Sequence, residues 1–343
     1  MVGDRGAQGD CELMSLPMKI LGVGRYLPER VVPSSEVERL CGIKPGWIER
    51  HTGVKERRWV GPRESNSYMG ARAAREAIED AGLGLSDIDL ILCASGTPEQ
   101  TIPDNSALIQ RELGLGKSGV ACMSVHITCL SFLLAMDLAA VMLAVNRYRN
   151  ILIVSSDVAS VALNFNDPES AALFGDAASA VVVSRTPEGE ASIVQRARFE
   201  TYSVGAHLTE IRGGGSRLHP ANPETRPEDN LFSMAGPKVY RLARQHQDEF
   251  LERLRPGLSK SPGSIKLVLP HQASLLALRA LRRNGIDDDQ VVITLDRFGN
   301  CVATSLPLTL YEAVKTNRLQ RGDEMLLAGT GAGLTLGGMI LNY

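Results

Sequence analysis

The chain has no Cys-x-x-Cys pair, and its six cysteines (Cys11, Cys41, Cys93, Cys122, Cys129, Cys301) are sparse over 343 residues. That spacing excludes a disulfide scaffold and speaks against structural zinc. No stretch reaches the roughly 18 apolar residues of a membrane span. The nearest, Leu130–Val145, carries Ser131 and Asp137 and reads as a buried core helix. The first residues hold Asp4, Arg5, Asp10 and Glu12 and lack the apolar core of a secretory signal. Neither sign of charge is in excess: 37 Lys+Arg against 39 Asp+Glu leave −2, too little to hold nucleic-acid phosphates. What is there is globular. A hydrophobic content of 44 % with 22 % charge excludes intrinsic disorder. At roughly 100–200 residues per domain, the length fits two units, or one unit built twice. The expectation is a reduced, cytoplasmic, two-unit protein without a membrane segment.

Residues 1–17 read as a polar leader, with Met14 or Met18 as alternative starts. From Lys19 the pattern alternates strand and helix: a strand at 19–23, a helix at 68–81 stopped by Gly82, a strand at 89–94, and a helix at 106–113 stopped by Gly114. Strands at 119–125 and 150–155 flank the apolar helix. The second half repeats the order, with helices at 239–254, 275–283 and 304–316 and strands at 265–269, 291–295, 324–327 and 334–341. Short apolar strands separated by helices predict a mainly parallel α/β sheet covered on both faces. The Gly/Pro-rich stretch 205–230 reads as a long surface loop.

Three segments hold candidate chemistry. Cys129, in His126-Ile-Thr-Cys-Leu-Ser-Phe132, stands where a strand turns into the apolar helix. A helix N-terminus favours thiolate, and its N–H groups can hold an oxyanion. Taken alone, burial as a structural cysteine is the commoner fate. His271 follows the strand Leu267–Pro270, and Asn300 follows Val291–Leu295 and Gly299. Alone they read as a strand-end histidine and a turn residue. Together, Cys, His and Asn at strand ends suit acyl transfer. The run Gly329–Gly338 looks like a dinucleotide loop, but the residues after it continue as a strand and give no helix to receive a pyrophosphate. A glycine turn between strands instead lets backbone approach a ligand.

These residues, with GVGRYLPE, WIERHTGVKERRW, ITCLSF, LFGDAASA, SMAGPKVY, LPHQAS, VVITLDRFGN and GAGLTLGG, resemble the β-ketoacyl-acyl-carrier-protein synthase III family of the thiolase superfamily. The resemblance runs from about Met18 to the C-terminus. It implies a five-layered αβαβα fold of two duplicated halves, 18–185 carrying the nucleophile and 186–343 carrying His and Asn, in a homodimer. By resemblance Cys129 takes an acyl group from an acyl thioester (acyl-CoA or acyl-carrier protein). His271 and Asn300 stabilise the enolate formed as malonyl-carrier protein loses CO2. The backbone N–H groups of Cys129 and Ala332 match the oxyanion hole. No metal or redox cofactor is implied. Elongating synthases use two histidines, and degradative thiolases carry a second cysteine in the glycine turn; this chain has neither feature.

Several positions depart from the family pattern. Trp47 matches the tryptophan that stacks on adenine, but Pro168 and His51 replace nucleotide-contacting arginines, Leu276 replaces a carrier-docking arginine, and Ser274 replaces an asparagine. Arginine's bidentate grip on phosphate is lost at each of the first three. Ile102 and Thr330 stand at acyl-tunnel positions where aromatics are usual, and Phe174 lies in the LFGDAASA anchor and is taken as substrate-binding. Smaller groups imply a longer or carrier-bound donor. The expectation is therefore a decarboxylating condensing enzyme of fatty-acid initiation or a secondary pathway. The alternatives are an acyltransferase or chain-joining synthase of a polyketide pathway, or a non-catalytic heterodimer subunit, against which the intact triad argues.

Overall fold

The computed structural model describes residues 15–343. In chain order its long strands are β1 (Lys19–Tyr26), β2 (Leu90–Cys93), β3 (Ala121–Ser124), β4 (Asn150–Asp157), β5 (Ala177–Ser184), β6 (Ile193–Thr201), β7 (Leu267–Pro270), β8 (Glu324–Gly331) and β9 (Thr335–Asn342). The helices used below are α1 (Asn66–Asp80), α2 (Asn105–Glu112), α3 (Ser131–Ala144), α4 (Gly236–Leu254), α5 (Leu275–Ala280) and α6 (Ser305–Lys315).

One sheet has the order β1-β5-β4-β2-β3 and the other β6-β9-β8-β7, with Val291 bridging Val268 of β7 in the place of a fifth strand. Strand directions also correspond: two antiparallel pairings, then parallel ones. Both sheets are thus mixed, which corrects the mainly parallel reading. The last strand of each half returns beside its predecessor and must run antiparallel to it.

The layers follow from which faces are apolar. Helix α3 is hydrophobic nearly all round, so it can only be buried. It lies with α6 between the sheets, where Leu133, Met136 and Leu310 meet Leu92 and Ile153 from one sheet and Leu269 and Leu327 from the other. The outer face of the first sheet is covered by α1 and α2, through Ala73, Ala77 and Ile109. The outer face of the second is covered by α4, through Phe250, Leu251 and Leu254. The result is αβαβα. Close approach of α1 is a matter of small residues: a Cβ on Gly24 of β1 would stand 2.2 Å from the Ala73 carbonyl oxygen.

Other sequence expectations shift. The run Val291–Leu295 makes a single bridge rather than a strand. The buried Gln272 side chain accepts from the N–H groups of Thr294 and Leu295 through Oε1, which turns the chain into the short helix Leu295–Phe298. The helix expected at 275–283 ends at Ala280 and tightens into a 3-10 turn. The 205–230 stretch is largely exposed, and the short strands Thr209–Glu210 and Ser233–Met234 pair across it. Of the expected leader, residues 1–14 lie outside the described residues, while Leu16 exchanges two backbone hydrogen bonds with Val194 of β6. No helix among the described residues is long and apolar enough to cross a membrane.

Candidate active site

The duplicated fold builds the same turn twice. In the first half Thr128 takes a left-handed φ of 52° just before Cys129, and Ser131 Oγ accepts from the Ile127 N–H. In the second half Val302 takes a φ of 51°, and Ser305 Oγ accepts from the Cys301 N–H. Two β-branched residues in this region mark stored strain, which persists only where the surroundings impose it. By this correspondence Cys129 aligns with Ala303, so one turn carries a nucleophile and its copy does not.

Glycines bring the pieces together. A Cβ on Gly331 would lie 2.7 Å from Thr128 Oγ1, and one on Gly329 would lie 2.5 Å from His271 Cβ and 3.3 Å from Leu130 Cδ2. The glycine hairpin is therefore the wall on which the Cys129 turn and His271 both rest. From the other side, Val302 Cγ1 and the Thr128 carbonyl oxygen converge on Gly96, at 2.5 Å and 3.4 Å from where its Cβ would be. Asn300 is clamped by the Leu173–Gly175 segment: its N–H donates to Leu173 O at 2.8 Å, and its carbonyl accepts from the Gly175 N–H at 3.1 Å. Its side-chain Oδ1 accepts from the Val302 N–H at 2.9 Å, which orients the amide. The Nδ2 group has no protein partner among the described residues, so it remains a free donor.

His271 is buried at the end of β7. Its Nδ1 is sealed and unpartnered, leaving Nε2 as the ring nitrogen that can meet a ligand. Burial lowers its pKa from 6.5 to about 4, so the ring is neutral at ordinary pH. Cys129 keeps some solvent contact. Even so, burial, with a smaller contribution from the Asp157 charge, pushes its thiol up to about 12. This corrects the expectation of a resting thiolate. Cys129 sits in the 3-10 turn Thr128–Leu130, ahead of the first turn of α3, within reach of the charge of buried Asp157. Asp157 itself accepts from the N–H groups of Gly96, Thr97 and Thr304 and from two threonine hydroxyls, tying the second turn to the Gly96–Thr97 segment. Sequence reasoning did not single it out; an acid closing the apolar strand β4 was the available signal.

A cleft of about 830 Å³ reaches this centre, and its walls include Trp47, His51, Ser274, His271 and Thr330. Cys129, Asn300, Ala332, Phe174 and Ile102 do not line it. Phe174 is buried against Phe232 and pairs with Asn300 through backbone, so its place is behind the site. Ile102 is 82 % exposed. Ala332 follows Gly331 in the hairpin turn beside Thr128. Ser274 Oγ accepts from the Ala277 N–H and caps α5. His51 stacks on Trp47 at 4.3 Å, so one face of that indole is taken by its own helix. Leu276 is exposed, and Pro168 begins a short helix and does not line the cleft. Among the described residues no cluster of His, Cys, Asp and Glu could hold a metal.

Fold and site together define a thiolase-like condensing acyltransferase. The family model for 3-oxoacyl-[acyl-carrier-protein] synthase III matches residues 123–203, and the model for its C-terminal part matches 258–343. The β-ketoacyl-[acyl-carrier-protein] synthase III 1 of Bacillus cereus is 34 % identical over 327 residues, 94 % of this chain and 98 % of the relative. The corresponding synthase of Symbiobacterium thermophilum is 34 % identical over 329 residues, 95 % of this chain and 98 % of the relative. The solved structure of the Aquifex aeolicus synthase superposes with a TM-score of 0.84 at 29 % identity, covering 95 % of this chain and all of that one. The priming β-ketosynthase of the R1128 polyketide pathway gives 0.84 at 26 %, covering 98 % of each. The chain belongs to the 3-oxoacyl-[acyl-carrier-protein] synthase III family.

Proposed function

We propose that the protein joins an acyl group to a malonyl unit in two stages, with Cys129 as nucleophile and His271 and Asn300 as enolate-stabilising donors. In the first stage the Cys129 sulfur attacks the carbonyl of an acyl thioester. The tetrahedral oxyanion is met by the backbone N–H groups of Cys129 and Ala332, the departing thiolate takes up the sulfhydryl proton, and a new thioester remains on the enzyme. In the second stage a malonyl thioester of carrier protein binds with its carbonyl oxygen at His271 Nε2 and Asn300 Nδ2. Its C2–carboxylate bond breaks and CO2 leaves. The electron pair at C2 attacks the acyl carbonyl, and Cys129 departs and recovers a proton. A neutral His271 suits this step, since Nε2–H donates to developing negative charge without adding a buried cation.

One observation carries the reading: the glycine hairpin holds the Cys129 turn and His271 against each other, while the copied turn, packed with Thr128 around Gly96, orients a free Asn300 amide. The test follows malonyl thioester labelled at its carboxyl carbon. Release of label with formation of a 3-oxoacyl product supports the reading; acyl transfer to another acceptor without release supports a plain acyltransferase instead.

The donor is a carrier-bound or longer acyl chain rather than acetyl-CoA. His51 covers one face of Trp47, and the arginine positions are changed. Two copies of the chain assemble as a homodimer, for which Ile102 is one of several exposed apolar side chains. The halves 18–185 and 186–343 contribute nucleophile and donors respectively. The chemistry needs no metal or redox cofactor, since the donors named supply the electrostatic stabilisation. Priming of fatty-acid or polyketide chains is the metabolic setting, in a reduced cytoplasm.

A further inference from the structure

The cleft extends beyond the route to His271. From the catalytic end at Thr330 it runs back along the outer face of the second sheet, under α4, as far as Leu326. Four residues of β8 span roughly 13 Å at about 3.3 Å each. The inner lobe is walled by Phe250, Leu251, Leu258, Ile286, Leu326 and Leu336, all buried hydrocarbon side chains. Polar residues of the same helix also line the cleft nearer its mouth, Tyr240, Arg241, Arg244 and Gln247 among them. Gln247 donates to Asn284 Oδ1 at 2.9 Å, and Arg244 lies 3.7 Å from Asp248 with its buried Nη1 making no hydrogen bond. Protein interiors are close-packed, and an apolar hollow admits hydrocarbon more readily than water. The lobe opens beside His271 and is not lined by Cys129. Whatever enters it therefore belongs to the thioester that His271 holds, not to the acyl group on the cysteine.

We propose that the lobe receives a medium-length alkyl substituent on C2 of the malonyl-type thioester. This deepens the two-stage reading above and rests on it. The balance is that of the parent reaction: the C2–carboxylate bond breaks, CO2 leaves, C2 bonds to the acyl carbonyl carbon, and the Cys129 thiolate is released and protonated. The product is a 2-alkyl-3-oxoacyl thioester. Reactions that carboxylate a medium-chain 2-enoyl or saturated acyl thioester at C2 are the class that would supply such a unit.

The experiment offers hexanoyl-N-acetylcysteamine as donor, then malonyl- or 2-hexylmalonyl-N-acetylcysteamine as partner, with hexanoyl loading read by intact mass and products by mass spectrometry. The wild-type enzyme is expected to turn over 2-hexylmalonyl at least as efficiently as malonyl. Ala243→Phe, under the roof of the lobe, is expected to lower kcat/KM for 2-hexylmalonyl about tenfold relative to malonyl, mainly through KM. Ala280→Leu, on the opposite wall, is expected to shift the same ratio in the same direction. Turnover of malonyl but not of 2-hexylmalonyl overturns the proposal and leaves the two-stage reading standing. An equal effect of both variants on both partners overturns it too. Absence of loading on Cys129 overturns the two together.

Discussion

Replacing Gly329 by Ala tests whether the hairpin positions the histidine. The added Cβ would lie 2.5 Å from His271 Cβ and 3.3 Å from Leu130 Cδ2. Carbon atoms rest at about 3.5–4.0 Å, so His271 must retreat by roughly 1 Å. No rotamer relieves the first contact, because both atoms are fixed to backbone. Overpacking of this kind costs about 1–3 kcal/mol of stability, and a displacement of about 1 Å at a reacting group costs on the order of a hundredfold in rate. Because His271 acts on the enolate, condensation should fall by about that factor while hexanoyl loading on Cys129 falls much less. Loading is read by intact mass, condensation by product formation from the pre-loaded enzyme, and folding by urea titration. A folded Gly329→Ala protein that condenses at the wild-type rate would refute the reasoning.

Four other outcomes follow from the same geometry. With its thiol pushed up to about 12, Cys129 should alkylate on the order of a thousandfold more slowly at neutral pH than a thiol of pKa 9, with the rate still climbing above pH 9; Asp157→Asn, which removes a nearby negative charge, should move that profile to lower pH, and an unmoved profile would contradict the assigned cause. Neutral His271, with its pKa near 4, predicts a condensation rate that stays flat through pH 6.5 and falls only on approach to pH 4, so a titration near 6.5 would count against it. The unfolded chain takes up this proton below pH 6.5 and the native chain only near 4. The histidine therefore contributes stability above pH 6.5 that is lost as pH falls, up to roughly 3 kcal/mol, seen as a urea midpoint that drops less in His271→Asn. Gly175→Ala should destabilise by about 1–3 kcal/mol in urea titration, since its Cβ would stand 2.2 Å from the Phe298 carbonyl oxygen; an unchanged midpoint would show that the clamp on Asn300 yields freely.

What could be read from residues alone was what local pattern controls. The apolar run around Leu133 and Met136 had to be a central helix, Gly82 had to stop α1, and the glycine run before a strand could not receive a pyrophosphate. Strand direction escaped because it depends on which neighbour a returning strand meets, not on its own hydrophobicity. The strand at Val291 escaped because Gln272, some 20 residues earlier, captures the N–H groups that would continue it. The protonation state of Cys129 was misread for a similar reason: helix polarity is a local signal, whereas burial and the Asp157 charge arise only on folding. Glycines were seen as a turn, but their work is steric and shows only when Thr128 and His271 are found against Gly331 and Gly329. The Trp47–His51 stack, four residues apart on one helical turn, was within reach of spacing arguments.

The central claim is a division of labour between the nucleophile and two enolate donors. Its most direct measurement is intact mass after exposure to hexanoyl-N-acetylcysteamine, compared among wild type, Cys129→Ala, His271→Ala and Asn300→Ala, followed by chase with malonyl thioester. A gain of one hexanoyl group is expected in all but Cys129→Ala. On chase, the wild type should lose it to product, while His271→Ala and Asn300→Ala hold it about a hundredfold longer or more. Loading that survives in Cys129→Ala, or a chase that clears the two donor variants as fast as wild type, would contradict the assignment.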